Sequence, residues 1–160
     1  MARRLRTVEL DFVESAPLRL AFPTEVTASP QAVYRALAED VEGWACWFDA
    51  VTKATPTGEG AGRDIKLKGG ALFVETILAT EPDERFAYRV DETNVPGLRA
   101  LLEEWRLSPT AKGTRVQWTF AADAPAPMRV MLRLGRAGLG ASFRGAVRSL
   151  DRRLARSAAQ

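Results

Sequence analysis

The stretch that decides the fold is Gly113-Thr-Arg-Val-Gln-Trp-Thr-Phe120, together with the residues that follow it. Apolar side chains alternate with polar ones along this stretch, which predicts a β-strand with one buried face. Ala124-Pro-Ala-Pro127 then ends the strand, because proline cannot donate to the hydrogen-bond ladder of a sheet. From Met128 to Leu154 the apolar residues follow a helical period, which predicts one long C-terminal helix or two helices in tandem.

The residues before this strand repeat its two-residue period. Strands are predicted at 18–27, 50–54, 64–68, 72–80, 85–91 and 100–107. Between the first two of them, Ser29 and Pro30 predict the start of a short helix, and residues 41–48 predict a second helical turn. The sequence therefore predicts an α+β fold, in which an antiparallel sheet of six or seven strands, with two short helices after the first strand, packs on the C-terminal helix.

Two segments allow more than one interpretation. Residues 7–14 also alternate, which predicts an additional N-terminal strand or arm. The predicted C-terminal helix contains four glycines, each of which costs about 1 kcal/mol relative to alanine in a helix interior. They are Gly135, Gly138, Gly140 and Gly145. A break between two helices, close packing against a neighbour, and space for a ligand would each explain them.

Length and composition bound the class of protein. The 160 residues suit a single domain, with a core at about 18–156. No apolar run reaches the roughly 18 residues of a membrane span, and the basic N-terminus does not continue as a signal peptide. A single cysteine, Cys46, excludes an internal disulfide, so we expect a cytoplasmic protein. We expect Cys46 itself to be a small buried apolar residue.

The chain contains no histidine. This excludes the Ser-His-Asp and Cys-His nucleophile systems and a zinc site of cysteine and histidine ligands. We therefore expect no metal and no cofactor, and any proton transfer must rest on Asp, Glu, Tyr, Lys, Arg or ordered water.

Basic residues concentrate at the C-terminal end. Residues 126–160 contain eight arginines and only one acid, Asp151, although the net charge of the chain is +3. The arginines recur at helical spacing, which is typical of the solvated face of an amphipathic helix. The alternative is an interaction module that uses this helix to bind an acidic partner or a nucleic acid.

Two carboxylates share strand faces with apolar residues. Glu75 and Glu103 point inward if those faces do, close to Tyr88, and would form a proton-transfer pocket. In that case Glu75 is the candidate acid or base, with Tyr88 and Glu103 as further candidates. In the alternative, the carboxylates point outward or pair with Arg89 or Arg106. A salt bridge from Glu75 to an arginine would indicate a structural role.

Several stretches together resemble the START-like, helix-grip superfamily (SRPBCC), and within it the polyketide cyclase/dehydrase-like group. They are Ser29-Pro-Gln-Ala-Val-Tyr-Arg-Ala-Leu37, Trp44-Ala-Cys-Trp-Phe48, Glu75-Thr-Ile77 leading into Glu81-Pro82, Arg85-Phe-Ala-Tyr88 and Gly113 to Phe120. The resemblance covers about residues 18–156, and residues 143–154 fit the closing helix. It implies one START-like domain whose curved sheet surrounds the C-terminal helix.

The resemblance also implies a cavity between sheet and helix for a small hydrophobic or aromatic ligand, polyketide-like or lipid-like. A strongly bent sheet cannot lie flush on a straight helix, so a gap is expected there. We expect it to be lined by Trp44, Trp47, Phe73, Tyr88, Trp105, Trp118, Leu139 and Phe143. The expected function is binding of such a ligand by a monomer or homodimer, with cyclase- or dehydratase-like chemistry as an extension.

Overall fold

Eight strands, seven long ones and one of two residues, form one antiparallel sheet in the computed structural model, which describes residues 1–160. In chain order the strands are β1 Arg3–Arg4, β2 Leu18–Val26, β3 Val51–Thr57, β4 Gly62–Leu67, β5 Leu72–Glu81, β6 Arg85–Thr93, β7 Ala100–Pro109 and β8 Thr114–Asp123. The seven run in the order β2-β8-β7-β6-β5-β4-β3, and the two-residue β1 adds an eighth by pairing with the end of β6. The predicted antiparallel sheet and α+β class are confirmed.

The short helices lie where the sequence predicts them. They are α2 Pro30–Tyr34, which continues as a π-helix over Arg35–Glu39, and α3 Trp44–Trp47. The Ser29 hydroxyl caps α2 by accepting a hydrogen bond from the Ala32 amide. Cys46, however, is exposed, which corrects the expectation of a buried residue. Trp44 and Trp47, three residues apart, take the buried face of this single turn, so Cys46 faces solvent.

Residues 7–14 are not a strand. Only the last part is regular, as the one-turn helix α1 Phe12–Ser15. Val8, Phe12 and Val13 are buried on the outer face of the sheet, against Ala100, Leu102 and Ala121. Adjacent Phe12 and Val13 both need burial, which a strand with one buried face cannot supply. The N-terminal segment therefore forms an arm across the outer face.

The C-terminal region is two helices, α4 Ala126–Leu134 and α5 Arg136–Ala158, with the break at Gly135. No residue of α4 is fully buried, whereas α5 buries Phe143, Ala146, Val147 and Leu150 against the sheet. Asp151 fastens α5 to the end of β2 by accepting hydrogen bonds from the amides of Thr27 and Ala28. None of the helices has both the length and the apolar character that crossing a bilayer requires.

Two irregularities in the pairing of β5 with β6, with an unpaired Asp91 on β6 and an unpaired Leu78 on β5, bend the sheet around α5. The register of β5 against β6 shifts between Val74 and Glu75, and again between Ile77 and Ala79. Bulges of this kind increase the local twist and bend of a strand. The aromatic core fills one part of the resulting concave face, and a cavity occupies the part beside Leu139 and Ser142 of α5.

Candidate functional site

A cavity of about 180 Å³ lies between the concave face of the sheet and α5. Eleven of its fifteen lining residues are hydrophobic, so its walls suit an apolar molecule. Its polar exceptions are Arg63, Glu75, Glu103 and Ser142, besides the Tyr88 hydroxyl. Ser142 is solvent-exposed, which places the mouth of the cavity beside α5.

Five of the eight residues predicted to line a cavity do so. They are Trp44, Phe73, Tyr88, Trp118 and Leu139. The expectation is corrected for Trp47, Trp105 and Phe143, which belong to the packed core beside the cavity. The rings of Trp105 and Phe143 lie 5.6 Å apart and neither is exposed at all. Strand and helix periodicity indicates which face a residue takes, but not its position along the groove.

Arg63 is the one charged lining residue that the sequence analysis missed. It opens an alternation with Ile65 and Leu67 along β4, and all three side chains line the cavity. That alternation is the signal that could have revealed an inward-facing arginine. The other lining residues not predicted as such are Phe48, Ala50, Val51, Ile65, Leu67, Phe120 and Ser142, beside the two carboxylates.

Arg63 and Glu75 form a buried ion pair. They are direct partners in the antiparallel register of β4 and β5. The Arg63 Nε donates to the Glu75 Oε2 at 2.5 Å, and the two side chains are 1% and 5% exposed. The guanidinium carbon of Arg63 also lies 4.1 Å from the ring centroids of both Trp44 and Tyr88. These contacts fix the orientation of the guanidinium plane at the wall of the cavity.

Glu103 is the centre of a second polar network. It faces Tyr88 in the register of β6 and β7, and its Oε2 accepts a hydrogen bond from the Tyr88 hydroxyl at 2.5 Å. The same oxygen accepts from Trp118 Nε1 at 3.2 Å, and the Tyr88 hydroxyl accepts from Trp105 Nε1 at 3.1 Å. Each of these buried polar atoms has a partner, which fixes the position of the carboxylate.

The alternative pairings with Arg89 and Arg106 are wrong. Arg89 pairs with Glu9 and Asp91. Arg106 pairs with Glu104, which points to the opposite face of β7 from Glu103. Both candidate carboxylates therefore face the cavity, and the arginine beside Glu75 is Arg63.

Burial decides the direction in which the pKa values of Glu75, Glu103 and Tyr88 shift. It raises the pKa of Glu75 to about 7, although Arg63 acts in the opposite direction. Burial likewise raises the pKa of Glu103, against the hydrogen bonds from Tyr88 and Trp118 and the charge of Arg63. The pKa of Tyr88 is raised well above 10 by burial and by the nearby Glu103, so its hydroxyl keeps its proton. For Arg63, burial lowers the pKa, but the neighbouring Glu75, Tyr88 and Glu103 raise it overall.

The site thus contains a carboxyl that changes protonation near neutral pH at the wall of an apolar cavity. Glu75 meets both expectations from the sequence. It lies among apolar residues, as the candidate acid or base would, and it forms a salt bridge with Arg63, which indicates a structural role. No group of three or more acidic or cysteine side chains is arranged to hold a metal ion.

Comparison with known proteins identifies similar chains. Residues 18–155 match the family model described as polyketide cyclase / dehydrase and lipid transport. An uncharacterized protein of Mycobacterium tuberculosis is 30% identical over 150 residues, which cover 91% of this chain and 89% of the relative.

Solved structures show the same fold at low sequence identity. A START superfamily protein from Mycobacterium smegmatis has a TM-score of 0.67 at 12% identity, covering 86% of this chain and 97% of that chain. A protein from the dynemicin biosynthetic locus has a TM-score of 0.62 at 21% identity, covering 85% of this chain and 46% of that chain. The helix-grip fold predicted from the sequence is confirmed.

Proposed function

The chain belongs to the polyketide cyclase / dehydrase and lipid transport family, and on that premise we propose that it binds one small apolar or aromatic molecule in the cavity between the sheet and α5. The ligand is polyketide-like or lipid-like in its apolar part. The observation that carries the proposal is the cavity itself, enclosed by aromatic and aliphatic side chains.

The size of the cavity limits what it encloses. An apolar cavity of about 150 Å³ in another protein binds benzene, whereas the pockets that bind drug-sized molecules measure about 300–1,000 Å³. A cavity of about 180 Å³ therefore accommodates one aromatic ring with a short substituent. A longer ligand would extend through the mouth past Ser142.

Toluene is the probe that tests binding without assuming a ligand. At ten times its Kd it should stabilise the protein by about 1.4 kcal/mol and raise Tm by about 3–6 °C, because it binds the folded state only. Leu139→Trp should abolish this shift by filling the cavity. Ala141→Trp is the matched control, because it adds the same side chain at an exposed position of α5 outside the cavity. An equal shift for both variants would place the binding elsewhere and contradict the proposal.

A second candidate function is proton transfer on the bound molecule, as in a cyclase or dehydratase. It is supported by the carboxyl of Glu75, which lines the cavity and has a pKa of about 7. In this proposal Glu75 is the acid or base and Tyr88 the helper. Glu103 holds the Tyr88 hydroxyl in place by accepting its hydrogen bond.

Hydrogen–deuterium exchange at a carbon next to a carbonyl tests this candidate. In D₂O, the methyl protons of acetophenone should exchange faster with the protein than with buffer. Glu75 takes a proton from the methyl carbon and leaves an enolate. The carboxyl then exchanges this proton for a deuteron of the solvent and returns the deuteron to the carbon. Glu75→Gln should remove the acceleration, and Tyr88→Phe should reduce it. Exchange at the buffer rate in the presence of saturating protein would refute proton transfer, while leaving the binding proposal intact.

A further inference from the structure

The large apolar side chains that remain exposed lie together on α4. Apart from Met1 at the chain end they are Val130, Met131 and Leu134, which are 52%, 70% and 81% exposed. Residues three and four apart are neighbours on a helix surface, so these three share one face of α4. Met128 and Leu132 lie on the other side of the helix and pack against the core. The face formed by Val130, Met131 and Leu134, the α4 face, therefore meets only solvent.

Three arginines without a carboxylate partner border the α4 face. Arg133, Arg136 and Arg144 line a surface groove between β2 and the junction of α4 with α5, and Leu134 of the α4 face lines the same groove. None of the three arginines forms a salt bridge. Residues 124–150 contain five arginines and no acidic residue. The junction therefore carries positive charge that the protein itself does not neutralise.

This charge argues against a second copy of the chain as the partner of the α4 face. A twofold dimer brings the same surface of both copies together. The arginines of the groove would then lie close to their own counterparts, and like charges that face each other across an interface are unfavourable. The partner must instead supply negative charge beside an apolar region.

The small size of the α4 face favours a membrane over an acidic protein. A stable protein interface usually covers about 800 Å² on each partner and includes pockets that receive anchor residues. Here three apolar side chains protrude from a helix of nine residues. A bilayer needs no matching pocket, because protruding apolar side chains enter the boundary between headgroups and acyl chains while cationic side chains attract anionic lipids.

We propose that the junction of α4 and α5 binds the surface of membranes that contain anionic phospholipids. The α4 face enters the boundary between headgroups and acyl chains, and the three arginines of the groove pair with lipid phosphates. The inference is independent of the proposed ligand binding, because none of these residues lines the cavity.

Vesicle sedimentation tests the proposal. One set of vesicles contains phosphatidylcholine and phosphatidylglycerol at about two to one, and the other contains phosphatidylcholine alone. The partition coefficient of the unmodified protein is measured at about 0.1 M salt, where charges interact over about 10 Å. It should be at least about tenfold higher for the anionic vesicles. Absence of binding to these vesicles would overturn the proposal.

Two double variants remove the two parts of the surface separately. Met131→Gln with Leu134→Gln removes apolar side chains, and Arg133→Gln with Arg136→Gln removes positive charge. Each double variant should lower the partition coefficient for anionic vesicles by about tenfold or more. All four side chains are exposed, so the variants should keep the Tm of the unmodified protein within a few degrees.

Arg152→Gln with Arg156→Gln is the matched control for the charge. It removes two exposed arginines from α5, the nearer of them sixteen residues beyond Arg136, or about 24 Å along the helix. The control should lower the partition coefficient by less than about threefold. Equal losses from the two arginine pairs would show that net charge alone attracts the protein to the vesicles, and the proposal would then be wrong.

Sedimentation equilibrium without lipid measures the competing occupant. The unmodified protein and the variant with Met131→Gln and Leu134→Gln should have the same molecular mass in solution. A dimer of the unmodified protein that dissociates in this variant would assign the α4 face to a second copy and contradict the proposal.

Discussion

At the scale of single residues, Glu75 combines a structural contact with a protonation state that is sensitive to its environment. Its ion pair with Arg63 lowers the pKa of the carboxyl, and its burial raises it further than the pair lowers it. The outcome, a pKa of about 7, means that the folded protein retains a proton that the unfolded chain releases near pH 4.5.

This difference predicts a pH dependence of stability. Below pH 4.5 both states hold the proton, and the carboxyl adds no penalty. Between pH 4.5 and about 7 only the folded state holds the proton. Rising pH therefore favours unfolding, and the free energy of unfolding falls progressively across this window. The loss over this window is on the order of 3 kcal/mol. Glu103, whose pKa is also raised, acts in the same direction.

Comparison with Glu75→Gln isolates this contribution. The free energy of unfolding, from urea titrations between pH 5 and 8, should fall more steeply with pH in the unmodified protein than in the variant. Glu25→Gln, at an exposed position, measures the effect of removing any one carboxyl. Parallel pH curves for the unmodified protein and Glu75→Gln would show that the folded state does not raise this pKa.

At the scale of elements, the four glycines near the C-terminus have different roles. Gly135 marks the break between α4 and α5. Gly140 allows close packing, because a Cβ there would lie 3.0 Å from Cδ1 of the Phe22 ring. Gly138 and Gly145 have open space around them, and none of the four lines the cavity. The explanation by space for a ligand is therefore wrong for these residues.

Gly145→Ala and Gly140→Ala should change stability differently. Gly145→Ala should raise the free energy of unfolding by about 0.5–1 kcal/mol, because alanine is the better helix former and meets no neighbour. Gly140→Ala should gain nothing or lose about 1 kcal/mol, because Phe22 packs against Trp118 and Phe143 and cannot move aside freely. Urea denaturation measures both, and an equal gain at the two positions would contradict the close packing.

At the scale of the whole molecule, the concave face of the sheet is covered along its length and the outer face is covered at β7 and β8. Its concave face holds the aromatic core and the cavity, and its outer face carries the N-terminal arm. The arm is joined to the sheet by β1 and by the amides of Leu5 and Arg6, which donate to the carbonyls of Asp91 and Arg99. Phe12 and Val13 supply its apolar contact with the outer face.

Phe12→Ala should release the arm without unfolding the sheet. Removal of the Phe12 ring lowers stability by at most about 3–5 kcal/mol. The arm detaches by itself if the free energy that holds it on the sheet is smaller than this loss. Hydrogen exchange should then quicken at the amides of Leu5 and Arg6, while the β7–β8 ladder stays protected. Glu14→Ala, at an exposed position of the same helix, is the control and should leave exchange unchanged. Uniformly faster exchange would instead show that arm and sheet unfold together.

The sequence by itself determined the order and type of the main elements, because their periods follow from local chain geometry. The two-residue period of β2–β8, the Ser29 cap and the helical period after Met128 each depend on a few consecutive residues. The same alternation put Glu75 and Glu103 on strand faces shared with apolar residues, but left open whether those faces point inward, which the structure decided. The resemblance to the helix-grip superfamily then supplied the arrangement of these elements around a cavity.

Only the tertiary structure decided what those side chains meet. Periodicity assigns a face but carries no information about depth, so Trp105 and Phe143 fill the core while Phe73 and Leu139 reach the cavity. The pairing of Glu75 with Arg63 depends on the register between β4 and β5, which joins residues twelve positions apart. The arm follows the same principle, because its apolar residues were visible in the sequence, whereas the outer face that receives them exists only once β7 and β8 have paired.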